Sequence, residues 1–514
     1  MKTLHSSGRG RQFSAVLFAC LAALVLAACS DSDSNRRKPA AAGYLQFYNA
    51  SPNSSTTDFV IPVVPTTGAP FDIVSKVEFG DASAISAVSP ADYALSFERA
   101  DPANPGEKIT LFERDVTIVK DEYSFWLMTG DYSAPELTEY RYVPPKSYDS
   151  GELGLTVFNV TAARGQIELY YVAEGGSFDE AQFLVTLGEG GQSEPTTLKE
   201  GNYIFFAVDV DSGNRILTTD VVPFVKAKTY FLMLREVGFG DGSSIVLDQV
   251  SSSSFVYSYS DQLNPIATKL RAYNSISDLN SVDVTLTNAS ETSTIAGLAP
   301  SALSDVMDLQ GGEYEVVVTA AGNSDSVHYT RDDVDVAVGS SSVLFFLDNV
   351  LETDETKALL AFLLPQSQRP RLHEADVNYV HLALKELEGE TEDDAPVVQY
   401  LLTLHFVNEA AGEVFEALDE GGNLVIAPTA QYKLNRLAFA SQRNFTLPVA
   451  DYVLYLTYST SVQTTNSDGT ITTVTTLHQF GDSLPFNVQA GENYLLTFEA
   501  DVAATDGYRL KISQ

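Results

Sequence analysis

The sequence is poor in the residues that most often carry chemistry. Its 514 residues include two cysteines, Cys20 and Cys29, six histidines and one tryptophan. The histidines beyond residue 28 show no His-x-x-x-His or His-Glu-x-x-His spacing, so no zinc-hydrolase ligand set is visible. The sequence also lacks a Gly-x-Ser-x-Gly elbow and a phosphate-cradling glycine loop before a helix. These absences predict a protein that is not an enzyme and has no cofactor and no metal site.

Long apolar runs are also scarce, and the most prominent one lies near the N-terminus. Phe13–Leu26 follows a basic flank and leads through Leu-Ala-Ala into Cys29. The run is too short to span a bilayer as a mature helix. Its ending resembles the lipobox of bacterial lipoproteins, which implies that residues 1–28 are a signal peptide and that Cys29 is acylated.

The residues after Cys29 add expectations about location and attachment. In Gram-negative lipoproteins, which this region resembles, an aspartate directly after the lipidated cysteine retains the protein at the inner membrane. Ser30 at that position is expected to permit transport to the outer membrane. Residues 29–43 are mostly small or polar and predict a flexible tether. The exported chain then has a single, lipid-carrying cysteine, which excludes disulfides and cysteine-based metal sites. We therefore expect a cell-envelope lipoprotein anchored through Cys29, on the outer membrane of a Gram-negative bacterium.

Basic residues are few, with 31 against 68 acidic ones. Without the three basic residues of the signal peptide, 28 remain against 68, which is a net charge of −40. Such a surface repels nucleic acid and anionic lipid headgroups, so we expect no nucleic-acid partner. Solubility is the simpler explanation of this charge, and low-affinity binding of divalent cations is the alternative.

The sequence does contain a repeat of three landmarks in a fixed order. The landmarks are a strand that ends in asparagine, a turn followed by a strand led by tyrosine, and an apolar closing strand. Asparagine and tyrosine are 44 residues apart in the first, second and fourth copies and 40 apart in the third. We expect the four tyrosines to open the same strand. The asparagines are Asn49, Asn159, Asn274 and, in a weaker copy, Asn408, and the tyrosines are Tyr93, Tyr203, Tyr314 and Tyr452.

The local pattern within each copy is that of β-strands. Residues 282–286 alternate apolar and polar side chains, and residues 452–458 are rich in β-branched and aromatic ones. Only Lys357–Leu364 and a segment near Leu382–Leu387 are helical candidates. Units of roughly 100 residues with many short strands predict an all-β chain of tandem, immunoglobulin-like β-sandwiches.

The first copy also carries a family resemblance. It contains FYNASP at 47–52, VEFGDAS at 77–83 and PADY at 90–93. This series is similar to the DUF4397 family, whose members occur in exported bacterial proteins, frequently as tandem copies. The resemblance implies exported β domains, and it supplies neither an enzymatic activity nor a functional residue.

The landmarks predict β-sandwich domains at residues 44–147, 148–250, 266–352 and 398–512. Pro144 and Pro145 separate the first two domains, and a serine run at 251–254 follows the second. The stretch 354–397 is long for a linker. Residues 379–384 are therefore an alternative opening strand for the fourth domain.

Three single features receive a structural interpretation. His381 and His405 lie in apolar strands, where we expect hydrogen-bonded structural side chains. Residues 209–214 superficially resemble a calcium loop, but the glycine is one place early and no glutamate closes it, which favours a solvated hairpin. Trp126 lies between apolar neighbours and is expected in a core.

Two functions remain after these exclusions. The first is a non-catalytic cell-envelope scaffold, acting as a spacer or in adhesion or protein interaction. The alternative is a lipoprotein that binds a glycan or peptide on exposed aromatic side chains. A row of solvent-facing tyrosines or tryptophans on one sheet would favour the alternative.

Overall fold

The computed structural model shows an all-β chain folded into tandem β-sandwiches. The predicted signal peptide, Cys29 and the predicted tether up to residue 40 lie outside the described residues. Among the described residues, none of the helices has the length and hydropathy of a membrane span. The structure describes residues 41–514 apart from 65–68, 103, 105–106, 146–147, 162–163, 238–243, 252–254, 264–266, 277–279, 338, 349–358, 368, 383–401, 415–429, 439–440, 466–470 and 501–507.

Each sandwich pairs two sheets with the same strand order. Counted within a sandwich, one sheet has the order 4-1-7-8 and the other the order 3-2-5-6, and the first strand runs parallel to the seventh. This order differs from the ABED and CFG sheets of immunoglobulin constant domains, so the likeness is one of sandwich architecture. The strands of the first sandwich are β1 (Gly43–Asn49), β2 (Thr57–Val63), β3 (Phe71–Val77), β4 (Ser86–Val88), β5 (Asp92–Ala100), β6 (Lys108–Thr117), β7 (Tyr123–Thr129) and β8 (Glu136–Tyr142).

The other sandwiches repeat this order, with an added edge strand in the second and short split strands in the second and third. The second sandwich contains β9 (Glu152–Asn159), β10 (Ile167–Ala173), β11 (Gln182–Leu187), β12 (Thr196–Lys199), β13 (Gly201–Asp209), β14 (Arg215–Thr218), β15 (Val222–Phe224), β16 (Thr229–Val237), β17 (Ser244–Val250) and β18 (Val256–Ser260). The third contains β19 (Thr268–Asn274), β20 (Val282–Thr287), β21 (Thr292–Leu298), β22 (Ala302–Leu303), β23 (Met307–Leu309), β24 (Gly312–Ala320), β25 (Asn323–Val336), β26 (Ser341–Asp348) and β27 (Leu359–Gln366). The fourth contains β28 (Glu374–His381), β29 (Leu402–Val407), β30 (Tyr432–Leu437), β31 (Gln442–Pro448), β32 (Asp451–Thr465), β33 (Ile471–Asn487), β34 (Asn493–Ala500) and β35 (Tyr508–Ser513).

Each sandwich has its own apolar core, because alternate side chains of a strand face the opposite sheet. Strand β20 buries three aliphatic side chains that alternate with half-buried polar ones, as its sequence predicts. The four cores are separate clusters of buried residues. Trp126 lies in the core of the first sandwich, which confirms its predicted position.

The repeated asparagine ends the first strand of three sandwiches and joins the two sheets. Asn49, Asn159 and Asn274 are fully buried. The Oδ1 of each accepts a hydrogen bond from the backbone N–H two residues later, and the Nδ2 donates to a carbonyl at the end of the third strand. The short amide therefore satisfies a buried N–H and a buried carbonyl at the same time.

The assignment of the fourth asparagine landmark to Asn408 is wrong. Asn408 follows β29, the second strand of its sandwich, and its side chain caps a short 3-10 turn by accepting from the Ala411 N–H. The first strand is β28. His381 occupies the place of the asparagine there, since it pairs with Phe498 as Asn274 pairs with Phe346. The first and second strands of a sandwich have similar apolar patterns, so sequence alone did not separate them.

The four repeated tyrosines lie at equivalent positions, as predicted. Tyr93, Tyr203, Tyr314 and Tyr452 lie near the start of the fifth strand of their sandwiches. Each hydroxyl donates to the backbone carbonyl four residues upstream. The arrangement resembles the tyrosine corner of β-sandwiches, in which a tyrosine hydroxyl fixes the entry into a strand.

One helical candidate is wrong. Lys357–Leu364 contains most of β27, which pairs with β26 along its whole length. Side chains of β27 pack on both faces: Ala361 and Leu363 against the third core, and Phe362 and Leu364 against the fourth sandwich. A strand buried on both faces shows no alternation in its sequence, so it cannot be distinguished from a short buried helix.

The strand pairings change three domain boundaries. The second sandwich extends past residue 250 to β18, which pairs with β17. The third sandwich extends past residue 352 to β27, and the fourth begins with β28 rather than at residue 398. The fourth sandwich therefore opens in the segment that the sequence offered as the alternative. The second helical candidate, Leu382–Leu387, lies outside the described residues apart from Leu382.

Candidate functional site

The first and second sandwiches pack against each other through an apolar junction. Outer faces of the sheets that contain β7 and β16 form it, with Phe125, Phe158 and Phe231 in mutual contact at ring distances of 4.5–5.9 Å. Aromatic side chains bury a large area per residue, so this contact stabilises one relative placement of the two sandwiches. The other buried members of this cluster are Tyr48, Ala50, Ala82, Leu127, Val160, Met233 and Val250.

A buried ion pair lies at the edge of this junction. Arg235 Nε donates to Asp248 Oδ2 at 2.6 Å, and Tyr48 of the first sandwich donates its hydroxyl to the same oxygen at 2.5 Å. Ser258 donates to the other carboxylate oxygen. Burial by itself would lower the pKa of Arg235, but Asp248 outweighs it and holds that pKa above its ordinary value. Burial, reinforced by Asp248, raises the pKa of Tyr48.

The third and fourth sandwiches form a second junction from the same strand positions. Phe345 and Val343 of β26 pack there with Leu495 of β34. Tyr273, which precedes the repeated asparagine as Tyr48 does, donates to Glu499 Oε2 at 2.7 Å. Arg509 is paired with Glu499 at 2.8 Å.

The charges of the two junctions are reversed. Arg235 and Glu499 occupy equivalent positions on the seventh strands. Each comes directly after the residue that pairs with the last residue of the first strand, Leu234 in one sandwich and Phe498 in the other. Asp248 and Lys511 are also equivalent. Asp248 pairs with the residue two places before Arg235, and Lys511 pairs with the residue two places before Glu499. A tyrosine–carboxylate hydrogen bond therefore persists although the cation and the anion have exchanged strands.

The two pairs of sandwiches meet where the segment before β28 contacts the first sandwich. Arg371 donates to Glu78 Oε2 at 2.7 Å and to Asp376 Oδ1 at 3.0 Å. The backbone N–H of Leu372 donates to the carbonyl of Asn53. We call Glu78, Arg369, Arg371, Glu374 and Asp376 the arginine hub.

Glu78 and Glu374 of the hub have opposite pKa shifts. Burial would raise the pKa of Glu78, but Arg371 and Arg369 outweigh it and hold that pKa below its ordinary value. Burial raises the pKa of Glu374, and the charge of Arg371, at 3.7 Å, only partly offsets this effect. Burial next to Arg371 lowers the pKa of Arg369 to about 10.

Phe79 connects the hub to the first junction. The guanidinium of Arg235 lies 4.5 Å from the Phe79 ring centroid, and that of Arg369 lies 5.4 Å from it. Cation–π contacts of partly desolvated guanidinium groups are worth about 1–2 kcal/mol each. Residues of the first two sandwiches and of the segment before the fourth thus meet at one ring.

A row of tyrosines crosses the first sandwich beside the junction. Tyr44, Tyr123 and Tyr142 are neighbours in register on β1, β7 and β8. Their rings stack at 4.3 and 5.0 Å, and Tyr140 extends the row at 5.8 Å from Tyr142. All four side chains are half-buried.

A cleft of about 290 Å³ opens beside this row, between the first and second sandwiches. Tyr123 and Tyr142 line it together with Pro144, Pro145 and Tyr148 from the connection between the sandwiches. Tyr148 is held in place by a hydrogen bond of 2.6 Å to Thr229. We call this the tyrosine cleft, and its remaining lining residues are Gln46, Ile85, Ala227, Lys228, Thr229, Phe231 and Ser251.

The residues singled out in the sequence do not converge on one site. His405 is buried and shares a 3.0 Å hydrogen bond with Thr457, and the ring of His381 packs edge-on against Phe498. Burial lowers the pKa of each histidine to about 4. Residues 209–214 form a hairpin turn, in which Asp209 accepts from the Ser212 N–H. Among the described residues, no group of three metal-ligating side chains is present.

Comparison with known proteins gives a family match over part of the chain. Residues 268–387 match the family model described as Domain of unknown function (DUF4397). This segment spans the third sandwich and β28, whereas the motifs quoted for the resemblance lie in the first sandwich. The chain is thus a β-sandwich protein in which one segment is similar to the DUF4397 model.

Other comparisons add little about function. No curated protein matches the chain. A solved structure described as "The Bacillus anthracis TIE protein" aligns at 10% identity over 94% of this chain and 78% of that chain, with a TM-score of 0.14. A likeness of this degree carries no argument.

Sequence reasoning missed the junctions, the hub and the tyrosine row. One signal was present: Tyr48 and Tyr273 both precede the repeated asparagine, and both face a junction. The partners of these tyrosines lie 200 and 226 residues away, so no local pattern indicated them.

Proposed function

We propose that the protein is a non-catalytic cell-envelope scaffold, anchored through lipid on Cys29, in which four β-sandwiches are held at fixed relative positions. The observation that carries this proposal is the repeated junction with its buried tyrosine–carboxylate bond. Independent domains on flexible linkers have no need of buried apolar contacts between them. A spacer or interaction scaffold does, because its purpose is to present surfaces at a defined distance from the membrane.

The rest of the architecture fits the same role. The repeated residues, Asn49 and Tyr93 with their counterparts, are satisfied within the fold and leave no polar group directed at a substrate. The strong negative charge keeps a tethered protein soluble and opposes self-association. We place the protein at the outer membrane because Ser30, and not an aspartate, follows Cys29.

The rigidity can be measured with spin labels. Residues 30–514 contain no cysteine, so introduced cysteines are labelled selectively. We would label Asp72→Cys in the first sandwich together with Thr186→Cys in the second, both on exposed positions of outer sheets. A narrow distance distribution by double electron–electron resonance is expected, and a distribution as broad as that of a flexible linker would contradict the scaffold.

The anchor is tested in the full-length chain. Wild-type protein should incorporate a fatty-acid probe and fractionate with membranes, and Cys29→Ser should do neither. Cys20→Ser is the matched control, because it changes the other cysteine within the apolar run and should leave labelling unchanged. Labelling of Cys29→Ser at the wild-type level would refute the anchor.

A further inference from the structure

The fourth sandwich contains a hairpin that is longer than the fold uses elsewhere. The fifth strands β5, β13 and β24 have nine residues each, whereas the equivalent β32 has fifteen and its neighbour β33 has seventeen. On its other side, β32 pairs with β29 only as far as Tyr458. Among the described strands, residues 459–465 and 471–477 therefore pair only with each other. We call these two stretches the ribbon.

The ribbon is an incomplete sheet. A two-stranded hairpin is only marginally stable in water, and a third strand stabilises it because that strand adds a second ladder of hydrogen bonds. Strand β33 is the last strand of its sheet, so the backbone N–H and C=O groups of residues 471–477 that point away from β32 meet no described strand. This edge can accept an extended strand over about 24 Å.

The ribbon lacks the features that keep sheet edges from pairing with other chains. Such features are charged side chains, prolines and β-bulges. Charged residues make up 19% of the chain, yet residues 456–465 and 471–480 contain none, and their pairing has no register shift. The rest of β33, beside the sandwich, contains Asp482 and Pro485 and lies next to a register shift. The long edge strand β25 has five charged residues and three register shifts.

The sequence of this edge reads almost the same in both directions. Residues 471–477 are Ile-Thr-Thr-Val-Thr-Thr-Leu, with Val474 at the centre. When two copies of a strand pair antiparallel across a two-fold axis, each residue faces its counterpart at the same distance from the axis. An axis at Val474 places valine opposite valine, threonine opposite threonine, and Ile471 opposite Leu477. Threonine pairs and pairs of β-branched residues are favourable across antiparallel strands.

Charge favours a second copy at this edge and opposes it elsewhere. The chain has a net charge of −37, so two copies repel each other over most of their surfaces. Self-pairing of β25 would bring together two strands that each carry four aspartates. Self-pairing of the ribbon brings together no like charges, and a strongly charged partner would find no opposite charge there.

We propose that the protein forms a two-fold symmetric dimer in which residues 471–477 of β33 pair antiparallel with the same residues of a second copy. The two ribbons become one four-stranded sheet, with the axis at Val474. Seven paired residues form a small contact, so we expect a Kd of about 10–100 µM in about 0.15 M salt. The dimer goes beyond the scaffold role, which assigns no partner, and it does not depend on the lipid anchor.

The first test is sedimentation equilibrium of residues 30–514, which include all the described residues. Salt screens the repulsion between acidic copies, so Kd should fall at least about 5-fold between about 0.05 M and about 0.5 M salt. Val474→Lys and Val474→Glu each place like charges opposite each other and should raise Kd at least about 10-fold. An equimolar mixture of the two variants should associate within about 3-fold of the wild-type Kd, because opposite charges then face each other. This rescue also shows that both variants keep the ribbon folded.

Val327→Lys is the matched control for the charge variants. Val327 is 54% exposed on the long edge strand β25, so its replacement makes the same chemical change at an edge that the proposal leaves free. Its Kd should stay within about 2-fold of the wild-type value.

The second test is disulfide cross-linking, which reports the register. Residues 30–514 contain no cysteine, so an introduced one can pair only with its counterpart in a second copy. Two cysteines from Val474→Cys lie directly opposite each other, within the Cα separation that a disulfide allows. Two from Thr472→Cys are four residues apart along the strand, about 14 Å, which is too far. With copper phenanthroline as the oxidant, Val474→Cys should form covalent dimers at least about 10-fold faster than Thr472→Cys.

Four results would overturn the dimer. They are a wild type that stays monomeric up to about 0.5 mM protein at both salt concentrations, a Kd that neither charge variant at Val474 changes, a mixture of those variants that fails to associate, and equal cross-linking of Val474→Cys and Thr472→Cys.

Discussion

Asp248→Ala removes the carboxylate at the edge of the first junction and leaves Arg235 with its charge buried. Asp248 is fully buried and accepts four hydrogen bonds, two from Arg235 and one each from Tyr48 and Ser258. Breaking a buried ion pair from one side costs about 3–5 kcal/mol, because the remaining charge is uncompensated. We expect the free energy of unfolding of the first two sandwiches to fall by about that amount.

Tyr48→Phe is the graded comparison. It removes one hydrogen bond to the carboxylate while the ion pair and the ring contacts remain, so we expect a loss of about 1–2 kcal/mol. The double replacement Arg235→Met with Asp248→Leu removes both charges. It should cost less than Asp248→Ala alone, since no buried charge is left without a partner.

The assay is urea unfolding combined with scanning calorimetry. In the wild type, the shared junction should make the first two sandwiches unfold in one transition. In Asp248→Ala, this transition should shift to lower urea and separate into two. A loss below 1 kcal/mol for Asp248→Ala, or a double replacement that costs more than the single one, would refute the reasoning that the ion pair couples the two sandwiches.

Three further predictions concern the repeat, the histidines and the hub. Asn159→Ala leaves the Thr161 N–H and the Leu187 carbonyl without their partner. Urea unfolding should therefore show a free energy of unfolding that is lower by about 2–4 kcal/mol. A decrease below about 0.5 kcal/mol would contradict the role of the repeated asparagine. His381 and His405 have folded pKa values of about 4, below about 6.5 in an unfolded chain, so their stabilising effect is complete above pH 6.5 and is lost as the pH falls toward 4. Each contributes up to about 3 kcal/mol of this acid sensitivity, and His405→Gln should flatten the pH dependence of unfolding relative to the wild type. Arg371→Ala leaves the carboxylates of the hub uncompensated, so it should lower the free energy of unfolding by about 3 kcal/mol at pH 7 and by clearly less at pH 4. An equal decrease at the two pH values would argue against an electrostatic role.

Much of the fold was predictable because its signals are local. The strand pattern follows from alternation over five to seven residues, as in β20. The asparagine landmark pairs with a backbone group two residues away, and the tyrosine landmark with one four residues away. A hydrogen bond between residues that are close in sequence produces the same local sequence pattern in the copies of a repeat.

The errors have an equally physical origin. The sequence of Lys357–Leu364 resembles that of a helix because the strand in it is buried on both faces. Its second face is buried only where the fourth sandwich packs against the third. The asparagine landmark points to Asn408 because the first strand of the fourth sandwich ends in His381 and lacks the asparagine. In both cases the missing information was the position of another part of the chain.

The all-β class, the repeated strands and turns, and the residues that close them are predictable from the sequence, because each of these depends on neighbours along the chain. Three features depend on how the chain folds in space: which sandwiches touch, the contact of Arg371 with Glu78 across 293 residues, and the row of tyrosines. Contacts between sandwiches join side chains from outward faces of sheets. A sequence read alone cannot distinguish such faces from surfaces that meet only water.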